Sequence, residues 1–144
     1  MEPVIVPEDH TLSTRVELTT RWSDEDNQGV LNNAVYLTLL EEARLVYFRA
    51  LGLLEPSGSF PFVLAQCQVR FVAPGRGGQR VEVHVGTVHL GTTSFEQVYR
   101  VRSVADGAIW CEARALLVAW DNRARAKRPL SAEFRAAVRA HEHL

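Results

Sequence analysis

One segment of this chain is apolar nearly all the way round a helix, and that feature limits the possible folds more than any other. From Asn33 to Leu51 the sequence NAVYLTLLEEARLVYFRAL has good helix formers and no internal Gly or Pro. Asn32 or Asn33 serves as N-cap and Gly52 as the stop. Val35, Tyr36, Leu39, Leu40, Ala43, Val46, Tyr47 and Ala50 cover most of its circumference, as expected of a helix enclosed by other structure. Something must wrap around it.

The wrapper is written in runs of alternating polarity. From Thr14 to Trp22, Val16, Leu18 and Trp22 share one face while Arg15, Glu17, Thr19 and Arg21 share the other, a half-buried strand. Between Phe62 and Val72 the apolar face carries Val63, Ala65, Cys67, Val69 and Phe71; between Gln79 and Leu90 it carries Val81, Val83 and Val85. The Gly-containing turns PGRGGQ (74–79) and LGTT (90–93) predict that these two runs and the next, SFEQVYRVRSV, are antiparallel neighbours. ADG (105–107) predicts the last hairpin. From Ile109 to Trp120 one face carries Cys111, Ala113, Ala115, Leu117 and Ala119, small enough that the helix is expected to lie across it. Residues 121–128 are a polar exit, and SAEFRAAVRAHEHL is a short helix capped by Ser131. The expectation is an α+β fold of one domain over residues 1–144, with a core at about 14–120, in which a five-stranded antiparallel sheet wraps one long helix.

Charge and composition remove several classes of function. The chain has 144 residues, is 47% hydrophobic and carries a formal net charge of -1. It has no basic stripe for nucleic acid. No segment has the roughly 18 apolar residues of a membrane span and the N-terminus lacks a secretory pattern, so a soluble, cytoplasmic protein is expected. Cys67 and Cys111 are too few for a disulfide framework and fit a reducing compartment. On their predicted core faces they act as small hydrophobes. His84 and His89, five apart in one strand, are expected on opposite faces, at or near the surface, which argues against a shared metal.

The element order, the acid-rich loop, GVLNNAVYL, EEARLVYFRALGL and LGTTSFEQVYRV together resemble the hot-dog fold. In detail they resemble its thioesterase branch, typified by 4-hydroxybenzoyl-CoA thioesterase and acyl-CoA thioesterases. What the resemblance implies is an acyl-CoA substrate, coenzyme A as part of that substrate and no separate cofactor, and a homodimer or a dimer of dimers with strands paired edge to edge. It also places the catalytic acid at the second Asp of Asp-x-Asp-x-x-Gly, here Asp26. Gly29 turns the backbone into the helix, Asn32 supports the loop, and the Asn33 and Ala34 amides supply an oxyanion hole. Val30 stands where many relatives carry His. That counts against the hot-dog dehydratases, whose chemistry uses the His.

The neighbouring residues have plainer roles. Asp24 is expected as an Asx-turn residue and Glu25 as a solvated charge. Glu41 and Glu42 are alternative catalytic carboxylates, since another branch carries its acid on the helix, but Glu41 with Arg44 at i, i+3 is the ordinary helical ion pair. Thr92, Thr93 and Ser94 serve the turn or touch the substrate. Arg76, Arg80, Arg125, Lys127 and Arg128 are candidates for the phosphates of coenzyme A. The competing reading is a hot-dog module that binds acyl-CoA without hydrolysing it, as a sensor or regulator.

Overall fold

A computed structural model describes residues 4–144. Its elements are β1 (Thr14–Thr19), α1 (Asn33–Ala50), β2 (Phe62–Phe71), β3 (Arg80–Leu90), β4 (Ser94–Ser103), β5 (Ile109–Asp121), the two-residue β6 (Ala126–Lys127) and α2 (Ala132–Glu142). Five strands form one antiparallel sheet in the order β1-β3-β4-β5-β2, and β6 folds back onto β5. The long helix starts and stops as its sequence requires: the Asn32 side chain accepts from the Ala34 amide, and the helix ends at Ala50, just before Gly52. Ser131 caps α2 by accepting from the Phe134 amide at 3.1 Å.

The inward faces of β3 and β5 follow the alternation. Val81, Val83 and Val85, and Cys111, Ala113, Ala115, Leu117 and Ala119, are all buried. The faces of β1 and β2 differ from expectation. β1 ends at Thr19, and Trp22 begins a 3-10 turn with its side chain 83% exposed. A bulge between Leu64 and Gln66 switches the parity of β2, so Phe62 and Leu64, then Cys67, Val69 and Phe71, lie on the inner face, while Val63 and Ala65 do not.

Nor is β2 a neighbour of β3. It pairs with β5, so PGRGGQ is a crossover between non-adjacent strands instead of a hairpin turn. The backbone of α1 comes closest to β3 and β1. It does not lie over β5, because the alanines there have another use: Ala115 and Ala113 sit in register opposite the large inward residues Gln97 and Tyr99. The helix reaches β2 through its rings, with Tyr36 against Phe71 at 5.2 Å and Phe48 against Phe62 at 4.8 Å. It is not enclosed all round, since Leu37, Val46 and Ala50 remain exposed.

The outer face of the sheet is partly covered by the chain's own N-terminal segment. Arg100 donates to the backbone oxygens of Val6 and Pro7 and pairs with Asp9 and Glu112. A second bulge, between Thr87 and His89, places His89 opposite Glu96 and His84 opposite Arg100. Both histidines therefore face outward on the same side, contrary to the expectation from spacing. His84 is also buried beneath this cover; among the described residues its Nε2 has no hydrogen-bond partner, and the Asp9 and Glu82 carboxylates stand 3.8 Å away. They stand about 17 Å apart along the strand. Among the described residues no group of three His, Cys, Asp or Glu could hold a metal.

Candidate active site

The acidic loop is a small hairpin that delivers the chain into the helix. The Asn32 amide donates to the Asp24 carbonyl and the Asp26 amide to the Val30 carbonyl, both at 2.8 Å. The Gly29 amide returns to the Asp26 carbonyl at 3.1 Å. Gly29 closes the turn at φ +73°, a backbone region few side chains tolerate.

The three acids differ in their partners. Asp24 is buried and fully engaged: Oδ2 accepts from the Arg21 amide at 2.8 Å and Oδ1 from the Arg21 guanidinium at 2.9 Å. That hydrogen bond from the Arg21 side chain holds the Asp24 carboxyl below its ordinary range. It makes a capping box and not an Asx turn. Glu25 is also bound rather than merely solvated, since Oε2 accepts from the Gly77 amide at 2.8 Å and from Arg76 Nε at 3.2 Å. These bonds, the backbone one first, lower its pKa. Asp26 makes the Asx turn: Oδ1 accepts from the Gln28 amide at 2.7 Å. Its Oδ2 has no hydrogen-bond partner among the described residues.

The loop between β2 and β3 cradles this hairpin. The Leu31 amide donates to the Gly75 carbonyl at 2.9 Å, and the Gly75 amide donates to Tyr36 Oη at 3.0 Å. A Cβ at Gly75 would meet the Trp110 ring at 2.6 Å and Tyr36 Oη at 2.8 Å; at Gly77 it would meet the Arg21 carbonyl at 2.5 Å. Only glycine allows the two loops to close. Tyr36, Gly75, Gly77 and Trp110 form this support, and sequence reasoning missed them. The one available signal was the glycine density of PGRGG.

At the helix mouth the Ala34 amide is taken by the Asn32 cap at 2.9 Å, leaving the Asn33 amide without a hydrogen bond among the described residues. Of the cation candidates only Arg76 lies at the acidic loop. Arg80 pairs with Glu17, Arg128 pairs with Glu55 at 3.0 Å, and Arg125 and Lys127 are exposed beyond β5. Thr92 and Thr93 accept backbone bonds from Leu130 and Ala119, and the Ser94 carbonyl accepts from the Gly91 amide, so this hairpin is tied to the far end of the helix. Glu41 and Glu42 are exposed on α1. The expected Glu41–Arg44 pair does not form. Arg44 is 5% exposed and turned inward, its Nε donating to Tyr99 Oη at 2.9 Å.

Two clefts open along the outer side of α1. One, about 350 Å³, is lined by Leu18, Arg21, Asp24, Thr38, Leu39 and Glu42; the other, about 370 Å³, by Thr38, Glu41, Glu42, Leu45, Ser59 and Phe60. A third, about 260 Å³, lies at the opposite end of the helix among Leu53, Phe62, Phe95, Arg128, Leu130 and Phe134.

The comparisons agree with this fold. The family model described as the thioesterase-like superfamily matches residues 20–138. The chain belongs to the thioesterase-like superfamily. A thioesterase from Thermus thermophilus, crystallised with coenzyme A and zinc, is 32% identical, covering 93% of this chain and 98% of its own, with a TM-score of 0.81. A 1,4-dihydroxy-2-naphthoyl-CoA thioesterase from Synechocystis is 19% identical, covering 86% and 93%, with a TM-score of 0.75, which shows the shared fold. A comparison with curated proteins returned no match. The protein is a thioester hydrolase with the hot-dog architecture, an antiparallel sheet and one long helix. No helix among the described residues is long and apolar enough to cross a membrane.

Proposed function

We propose that this thioesterase hydrolyses acyl- or aroyl-CoA to the free acid and coenzyme A, with Asp26 as the catalytic carboxylate. The observation that carries this reading is the difference among the loop acids: Asp24 is held by Arg21 and Glu25 by Arg76 and Gly77, whereas Asp26 keeps one oxygen unengaged. An unengaged lone pair is what a nucleophile or a general base needs. Either the carboxylate attacks the thioester carbonyl, expelling the CoA thiolate and leaving an anhydride that water opens, or it takes a proton from the water that attacks. In both routes the carbonyl oxygen gains charge, and in this reading the Asn33 amide at the positive end of α1 meets it, a contribution of about 3 kcal/mol for one such donor. The Ala34 amide, committed to the cap, contributes through the helix dipole. Arg76 is the cation best placed for a phosphate of coenzyme A. The CoA bound in the Thermus relative supports the carrier.

The working unit in this reading is a homodimer joined through β2. That strand is the free edge of the sheet opposite β1, and it exposes Leu64 at 46% and Phe71 at 48%. A long apolar edge calls for a partner.

One observation favours a second site. Glu42, not Asp26, lines both clefts beside α1. Thiol release from short, long and aromatic acyl-CoAs separates the readings. Turnover by wild type that Glu42→Gln retains supports Asp26, turnover abolished by Glu42→Gln moves the acid to the helix, and tight binding without thiol release identifies the non-catalytic module.

A further inference from the structure

Arg44 is a buried cation without a carboxylate. Its Nε donates to Tyr99 Oη at 2.9 Å and its guanidinium carbon lies 5.4 Å from the centre of the Tyr99 ring, but no ion pair engages it among the described residues. Burying a charge in that condition is unfavourable unless an opposite charge completes it. Its two terminal nitrogens have no hydrogen-bond partner among the described residues and are not fully enclosed. Across the sheet from Tyr99, which Arg44 touches, the register runs through the small Ala113 to Val69 of β2, which is only half-buried. The opening is therefore on the β2 side of the helix.

The residues around it form a seam. Leu37, Glu41, Arg44 and Phe48 are spaced by four, three and four, the repeat that presents one stripe to a neighbouring helix. The stripe meets β2 where Phe48 packs on Phe62. Its outward members are unmatched: Leu37 is 44% exposed, and Glu41 is exposed without an ion pair among the described residues. None of the three clefts is lined by Arg44.

We propose that Arg44 pairs with the partner subunit's Glu41 across the dimer axis. The inference rests on the dimer through β2. A two-fold axis that joins the two β2 edges makes the two α1 helices antiparallel, with the same stripe on each. In such an isologous contact a pair made once is made twice. The acid and the cation sit one turn apart on one stripe, so the antiparallel copy brings unlike charges opposite each other. The helical motif Glu-x-x-Arg is then an interface device rather than an intrahelical pair.

A heterodimer test separates this pairing from the dimer itself. One chain carries Glu41→Arg and a second, differently tagged, carries Arg44→Glu; each homodimer then opposes like charges, and the mixed dimer restores two unlike pairs. Native mass spectrometry of the co-expressed chains is expected to show mixed dimers well in excess of the random proportion. A random mixture, with wild type still dimeric, overturns the pairing and leaves the dimer standing; a monomeric wild type overturns both. Glu41→Gln, at an exposed position, covers the case in which Arg44→Glu does not fold. Close charged pairs across an interface show strong coupling, and loss of this one is expected to weaken dimerisation by about tenfold or more in sedimentation. Unchanged dimerisation by Glu41→Gln overturns the proposal. So does Arg44→Gln that leaves the dimer intact while raising KM, which would assign the guanidinium to the substrate.

Discussion

The two ends of the central helix each border a cleft, and they are built in opposite ways. At the N-terminal end the loops beside the cleft supply backbone amides, three acids and two arginines, Arg21 and Arg76, and they close through positions 75 and 77, where only glycine fits. At the C-terminal end Phe48 and Phe95 each lie within 5.6 Å of Phe62, of Phe134 and of each other, and the charges at the rim are the Arg128–Glu55 pair and Glu133. In the proposed reading, cleft volume does not locate the chemistry. The aromatic end holds the sheet to the helix; the polar end holds partial charges at fixed positions, which in the proposed reading a reacting carbonyl meets.

If the division is right, damage at the aromatic end should reach stability before catalysis. Phe48→Ala removes a fully buried ring and is expected to destabilise by about 3–5 kcal/mol in urea unfolding, with kcat per folded molecule little changed. A fall in kcat of the folded fraction would break the comparison. Gly75→Val acts at the other end: overpacking against Trp110 and Tyr36 is expected to take about 1–3 kcal/mol and, unlike Phe48→Ala, to lower kcat, because the hairpin that carries Asp26 is displaced. Asn32→Ala sharpens the contrast. Losing the cap is expected to cost about 1 kcal/mol of stability, read as a lower melting midpoint.

The smallest expected effect is that of acid. The Asp24 and Glu25 carboxyls lie below their ordinary values, Asp24 because of its hydrogen bond with Arg21 and Glu25 because of its bond from the Gly77 amide. A carboxyl depressed in the folded state contributes stability that is full above its unfolded pKa of about 4 and disappears as pH falls through the lower folded value. Wild type should therefore lose melting temperature below about pH 4, and Asp24→Asn should start lower but fall less. Parallel acid limbs would remove the loop acids from the stability account.

How much of this was legible follows from the physics of each signal. The bounds of α1 and the inner faces of β3 and β5 were readable because uninterrupted periodicity and a side-chain cap are local. The face of β2 was misread because a bulge adds one residue without any mark in the composition. Glycines in PGRGGQ announced a tight segment, but a turn signal does not say which strands it joins, so the cradle under Glu25 went unseen. Arg44 was assigned by helical spacing to Glu41; its burial depends on Tyr99, 55 residues away, which spacing cannot report. At the site, the family motif drew attention to Asp26, and only the hydrogen bonds distinguish its unengaged oxygen from the occupied carboxylates of Asp24 and Glu25.

The account turns on that oxygen. The most direct measurement is kcat/KM for thiol release from the best acyl-CoA, in wild type and in Asp26→Asn, alongside the melting temperature of each. Asparagine keeps the acceptor that Gln28 needs and removes the charge, so the prediction is a loss of about 10²–10⁴-fold in kcat/KM with the melting temperature unchanged. Turnover within about threefold of wild type, in a protein equally stable, would contradict it.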